Sequence, residues 1–173
     1  MSRPHASTPD EHKATAPTTV GCFVLTVSDT KTPQTDTSGK VIRELLTGGG
    51  HTVVGSAIVR DEPADVTRVV REACADARVK VVLLTGGTGI TSRDSTFEAV
   101  SALLDKTLPG FGELFRALSF QAIGSPAMLS GAIAGVYHGR LVFCLPGSPD
   151  ACRLAVEQLI LPELGHAVGV MER

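Results

Sequence analysis

The apolar stretch Val81 to Leu84 runs through Thr85 into Gly86, Gly87, Thr88 and Gly89, and a lone carboxylate, Asp94, follows shortly after. Glycines without a Cβ let backbone N–H groups come close to an anion, and a helix opening just beyond adds the positive end of its dipole. Phosphate is the guest that such a loop suits. The stretch is not GxxxxGK[ST], because it has no lysine, and it fails GxGxxG at Ser92, where the third glycine would stand. No acidic residue ends a strand about 20 residues further on, which disfavours a nicotinamide dinucleotide. Three other apolar runs also stop in polar residues: at Ser28-Asp29, at Asp61, and at Pro146-Gly147-Ser148. In open α/β sheets ligands bind outside the carboxyl ends of the strands, so these four ends should share one rim.

Carboxylates beside a phosphate repel it unless a divalent cation lies between them. Mg²⁺ is usually held by one or two carboxylates together with substrate oxygens. Asp61 and Asp94 are the candidates, and the chemistry they imply is nucleotidyl or phosphoryl transfer, in which catalysis is positioning and charge neutralisation. Each residue also fits a plain structural role. The glycines can make a tight turn, Asp61 and Asp94 can cap helices, and Ser28, Asp29 and Ser148 can be ordinary loop residues. Only their convergence on strand ends points to a site. The five histidines show no ligand spacing, and no metal is assigned to them.

The elements that must position these residues follow from periodicity. VGCFVLTV from Val20 reads as a strand, and Val41, Ile42, Leu45 and Leu46 form one stripe of a helix that Thr37 or Ser38 can cap. TVVGSAIV is a second strand ending at Asp61. Pro63 then opens a helix with Val66, Val69, Val70, Ala73, Cys74 and Ala77 on its apolar face. VKVVLLT has the continuous apolar character of a central parallel strand, and Ser95 to Glu98 has capping-box spacing. A helix from about Pro109 carries Phe111, Leu114, Phe115 and Leu118 on a strongly apolar stripe, suited to the core or to a subunit interface. Two short extended runs meet at His138-Gly139, and a last helix covers about Asp150 to Leu164. Alternating strands and helices predict an open α/β fold with a mostly parallel sheet and a small hairpin.

With 173 residues the chain fits one domain. Residues 1–18, rich in Pro, Ser, Thr and charge, read as a flexible tail, and residues 19–173 as a single domain. Sixteen basic and 18 acidic residues leave a net charge of −2 without long blocks of either sign, so nucleic acid and anionic membranes are not expected partners. A small molecule is. No apolar stretch approaches a membrane span, and four cysteines without close pairs favour a reduced, cytoplasmic setting.

Taken together, TGGTGITSRDSTFEA, PGFGELFR, SPAMLSG and LPGSPDACR resemble the MoaB/MogA family of molybdenum cofactor biosynthesis, the molybdopterin adenylyltransferases, over about Val20 to His166. AIVRD and FGELFRALSF are more similar to its MoaB branch, which has both active and inactive members. The resemblance implies a three-layer α/β/α fold and a homo-oligomer, a trimer or a hexamer. It also implies Mg²⁺-dependent transfer of AMP from ATP to the terminal phosphate of molybdopterin, releasing pyrophosphate. Asp61 and Asp94 match the two aspartates on which family activity depends, with Mg²⁺ and phosphate positioning as their implied role. Ser28, Asp29, Gly86, Gly87, Thr88, Gly89, Pro146, Gly147 and Ser148 match its nucleotide and pterin cradle. Ser130 matches a serine implicated in molybdopterin binding, and Gly131 stands where an arginine commonly follows. The alternative is a non-catalytic molybdopterin-binding or scaffold protein of the same fold.

Overall fold

A computed structural model describes Lys13 and residues 15–173. Most of the tail expected over residues 1–18 therefore lies outside the described residues. The strands are β1 (Gly21–Val27), β2 (Thr52–Val59), β3 (Val81–Thr85), β4 (Lys106–Thr107), β5 (Ile133–Tyr137) and β6 (Arg140–Leu145). They form one sheet in the order β2-β1-β3-β6-β5-β4. β2, β1, β3 and β6 run parallel, whereas β5 pairs antiparallel with β6 and β4 antiparallel with β5. Every residue of β3 is buried, as its unbroken apolar run requires of a strand covered on both faces. The expected hairpin is β5–β6. Its turn residues His138 and Gly139 have φ of 45° and 71°, the paired positive values of a two-residue turn that matches strand twist. The two-residue β4 is not among the expected strands, because it shows no periodicity of its own.

The helices are α1 (Thr37–Gly48), α2 (Pro63–Ala75), α3 (Thr96–Leu103), α4 (Pro109–Ile123), α5 (Pro149–Ala155) and α6 (Leu161–Met171), with a π-helical turn over Val156–Ile160 joining the last two. Side-chain alternation along the strands sorts the core into two layers. Ile42 and Leu46 of α1, Phe115 of α4 and Cys152, Ala155, Ile160, Leu164 and Val168 of the C-terminal helices pack with Val24, Leu83 and Phe143. Val66, Val70 and Cys74 of α2 and Val100 of α3 pack on the other face with Leu25, Val82, Leu84 and Cys144. The result is a three-layer α/β/α fold around a mixed six-stranded sheet.

Several local expectations change. Asp36, not Thr37 or Ser38, caps α1. Its Oδ1 accepts the Gly39 N–H at 2.9 Å, and Thr26 Oγ1 donates to its Oδ2 at 2.8 Å. A bond from the end of β1 thus selects the aspartate as cap. Helix α2 stops at Ala75, so Ala77 leaves the apolar face. In α4 only Phe115 of the expected stripe is buried, while Leu114 is 57% exposed. Phe120, Ile123, Met128 and Leu129 are exposed with it, apolar side chains left uncovered among the described residues. The last helix does not end near Leu164 but continues to Met171. The run Pro149–Met171 is long and apolar enough, by length and composition, for a membrane span, contrary to the expectation from the sequence. Cys152, Val156, Ile160, Leu164 and Val168 nevertheless lie in the core, as in a packed helix. Of the expected tail, Lys13 pairs with Glu163, and Pro17 lies against Gly165 and Gly169 of α6.

Candidate functional site

The four parallel strands place their carboxyl ends on one rim, and the glycine loop crosses its middle. Gly86 (φ 100°) donates its N–H to the Leu145 carbonyl at 3.1 Å and packs so closely on Val27 that a Cβ would strike the Val27 carbonyl. Gly87 (φ 68°) has equally little room: a Cβ there would collide with Thr96 Oγ1 and stand 2.6 Å from Asp61 Oδ2. A Cβ on Gly89 would stand 2.6 Å from Asp94 Oδ2. Backbone strain and crowding thus both demand glycine in this loop. They also show that Asp61 and Asp94 lie against two glycines of the same loop.

The two carboxylates are held differently. Asp61 is 6% exposed. Its Oδ1 accepts Ser95 Oγ–H at 2.8 Å and Thr96 Oγ1–H at 3.4 Å, and its backbone N–H donates to Asp29 Oδ1 at 3.1 Å. Asp94 is partly exposed, and its Oδ2 accepts the Thr91 N–H at 3.0 Å and the Thr91 hydroxyl at 2.6 Å. Neither aspartate caps a helix. Ser95 occupies the N-cap of α3 and Glu62 that of α2. The capping box expected at Ser95 and Glu98 does not form, because the Ser95 hydroxyl is turned to Asp61. Among the described residues, Asp61 Oδ2 and Asp94 Oδ1 take no hydrogen bond, and no group of three or more His, Cys, Asp or Glu could hold a metal.

Around this centre the other expected residues take up positions. Thr88 is buried in the loop. The Ser28 hydroxyl accepts the N–H groups of Thr30 and Lys31 at 3.2 and 3.1 Å, a local turn. The carboxylate of Asp29 is gripped by Arg93, with Nε to Oδ2 at 2.8 Å and Nη2 to Oδ1 at 3.0 Å. The Arg93 hydrogen bonds, and then the Asp61 N–H, hold the Asp29 pKa down at about 2. The Pro146 carbonyl accepts Thr85 Oγ1–H at 2.8 Å, Gly147 rests on Gly86, and the Ser148 hydroxyl caps α5 through Ala151 N–H at 3.1 Å. Ser38 closes the cradle by donating to the Gly147 carbonyl.

Two recesses are lined by other expected residues, and neither is lined by Gly86 to Gly89, Asp61 or Asp94. One, of about 420 Å³, is lined by Ser130, Pro146, Ser148, Ile123 and Arg153, and the other, of about 660 Å³, by Ser28, Asp29, Lys31, Arg43 and Arg60. Gly131 packs so tightly on the Thr88 carbonyl that a Cβ would collide with it. No side chain could replace this glycine without moving the loop. Sequence reasoning gave neither Arg93 nor Asp36 a role in the site. Arg93 could have been found as the cation next to Asp94, whereas the role of Asp36 depends on a contact with β1. The four cysteines are free and buried, and burial pushes the Cys152 thiol up to about 11, so no thiolate serves the site near neutral pH.

Residues 23–166 match the family model described as a probable molybdopterin binding domain. The chain is 51% identical to the molybdenum cofactor biosynthesis protein B of Halalkalibacterium halodurans over 160 residues, covering 92% of this chain and 94% of that protein. It is 50% identical to the protein of the same name from Bacillus subtilis, covering 91% and 94%. A crystal structure of a molybdenum cofactor biosynthesis protein B superposes with a TM-score of 0.89 at 51% identity, over 91% of this chain and 99% of that one. The tungsten cofactor synthesizing protein MoaB of Pyrococcus furiosus does so with a TM-score of 0.81 at 38% identity, over 91% and 100%. Sequence and fold agree over nearly the whole length, and the chain belongs to the MoaB family of molybdenum cofactor biosynthesis proteins.

Proposed function

We propose that the protein is a molybdopterin adenylyltransferase acting in the cytoplasm, which uses Mg²⁺ and ATP to give adenylyl-molybdopterin and pyrophosphate. The observation that carries this reading is the placement of Asp61 and Asp94 against Gly87 and Gly89 of one glycine loop. Two carboxylates facing a phosphate loop would repel a nucleotide on their own. Among the described residues each has an oxygen that accepts no hydrogen bond, which suits Mg²⁺ bound through one or two carboxylates and substrate phosphates. A site with fewer than three protein ligands is unsuited to a metal caged by protein alone. When bound, Mg²⁺ would neutralise charge on the transferring phosphates.

In this reading the terminal phosphate of molybdopterin supplies the nucleophilic oxygen. A new P–O bond forms to the α-phosphorus of ATP, the α–β P–O bond breaks, and pyrophosphate leaves. The chain contributes orientation. With the Gly86 N–H committed to the Leu145 carbonyl, the backbone from Gly87 to Gly89 would cradle phosphate, while Ser95 and Thr96 fix the Asp61 carboxylate and Thr91 fixes that of Asp94. Ser130, Pro146 and Ser148 line a recess that would take the pterin, with Gly147 between the last two in the chain, and Ser28 and Asp29 line a second recess. The apolar face of Leu114, Phe120, Ile123, Met128 and Leu129 supports assembly as a homo-oligomer, a trimer or a hexamer.

The test is pyrophosphate release by the purified protein with Mg²⁺, ATP and fresh molybdopterin, with D61N and D94N as controls. Release that needs the pterin, the metal and both carboxylates is expected. Molybdopterin binding without any pyrophosphate would overturn the enzymatic reading in favour of a non-catalytic binding protein. The observation favouring that second reading is Gly131, which presents no side chain to a phosphate beside Thr88.

A further inference from the structure

Asp61 and Asp94 sit on different loops, yet their sequence neighbours are joined. Glu62 follows Asp61, Arg93 precedes Asp94, and Arg93 Nη1 meets Glu62 Oε1 at 2.9 Å. The same guanidinium grips both oxygens of Asp29, at 2.8 and 3.0 Å. Asp29 Oδ1 in turn accepts the Asp61 N–H at 3.1 Å. One side chain therefore ties together the loops that follow β1, β2 and β3. All three groups are substantially exposed, and exposed ion pairs contribute little to stability. Stability alone is a poor reason for this arrangement. Geometry is a better one, since a displacement of about 1 Å at a reacting centre can cost roughly 100-fold in rate.

We propose that Arg93 is a positioning residue whose fork, holding Asp29 and Glu62, sets the separation between the Asp61 and Asp94 carboxylates. The inference rests on the adenylyltransferase reading of those two residues. It also reassigns Asp29: with both oxygens engaged by Arg93, the carboxylate braces the Asp61 loop instead of contacting a ligand. Lysine cannot reproduce the fork, because it is a single point charge that cannot grip two carboxylates in fixed directions.

The test compares wild type with R93Q and R93K in steady-state kinetics, thermal melting, Mn²⁺ binding with an ATP analogue blocked between the α- and β-phosphates, and crystal structures. In both variants kcat should fall about 30- to 100-fold with KM for ATP changed less than about threefold. The melting temperature should move by no more than about 2 °C. The Mn²⁺ concentration for half-saturation should rise about tenfold, and the Asp61 and Asp94 carboxylates should be displaced by about 1 Å relative to each other. A raised KM for ATP at wild-type kcat would overturn the proposal by making Arg93 a direct phosphate contact. Unmoved carboxylates in R93Q, or full activity in R93K, would overturn it too. If the wild-type protein releases no pyrophosphate, the adenylyltransferase reading fails, and the crystal structures and Mn²⁺ titration still decide whether Arg93 sets the spacing.

Discussion

Asp61 and Asp94 occupy equivalent places beside the glycine loop but belong to different kinds of structure. Asp61 is buried and joined to the start of α3 by two hydroxyls, to β1 through Asp29, and to Gly87 by close packing. Asp94 is held almost entirely by Thr91, three residues earlier, and touches the rest of the rim at Gly89. One carboxylate is therefore part of the framework that assembles the rim, and the other is bonded within its own turn, which Arg93 joins to Asp29 and Glu62. A group built into a hydrogen-bonded network cannot be changed without leaving its partners unsatisfied, whereas a group on its own turn can.

Activity should not distinguish them. D61N and D94N should each lower pyrophosphate release by about 10³-fold, the scale of losing an interaction made in the transition state. A loss confined to one of them would break the pairing on which the proposed function rests. The two glycines should divide next. Gly87 has φ of 68° and no room for a methyl group, so G87A should lose more than about 2 kcal/mol in urea unfolding. Gly89 is exposed and has no such φ, so G89A should unfold within about 1 kcal/mol of wild type while displacing Asp94 and impairing turnover.

The aspartates themselves should separate in stability. D61A leaves the Ser95 and Thr96 hydroxyls without their acceptor and should cost about 1–3 kcal/mol. D94A should cost less than about 0.5 kcal/mol, as for surface positions. Equal unfolding midpoints for the two variants would show that the Asp61 network adds nothing to the fold. The smallest effects should come from the hydroxyls. S95A should lose about 1 kcal/mol and T91V about half as much, each with a drop of roughly tenfold in kcat as its carboxylate loosens. Calorimetry and the pyrophosphate assay on the same preparations would read both quantities.

The chemistry of this rim is legible in the amino-acid sequence. Glycines and carboxylates at the ends of apolar runs identify Gly86 to Gly89, Asp61 and Asp94, because strand and helix periods are local and the rule placing ligands at strand ends is general. Partners are not legible. Ser95 and Glu98 have the spacing of a capping box, but a carboxylate from 34 residues away takes the serine hydroxyl instead. Arg93 reaches Asp29 across 64 residues, and no local pattern indicates that pairing. The α4 stripe reads as core or subunit interface, and of its residues Phe115 is buried while Leu114 remains exposed: periodicity shows which side of a helix is apolar, not what covers it.

Local sequence dictates the α/β class, the hairpin at His138-Gly139, and the residue types available at each strand end, all consequences of backbone geometry acting over a few residues. Long-range packing alone sets the strand order β2-β1-β3-β6-β5-β4, the burial of Asp61 against the exposure of its counterpart, and the selection of Asp29 and Glu62 by Arg93. The physical reason is the same throughout. Charges and hydroxyls can pair with any suitable group that comes within about 3 Å, and which group comes that close is settled by how the two core layers settle on the sheet.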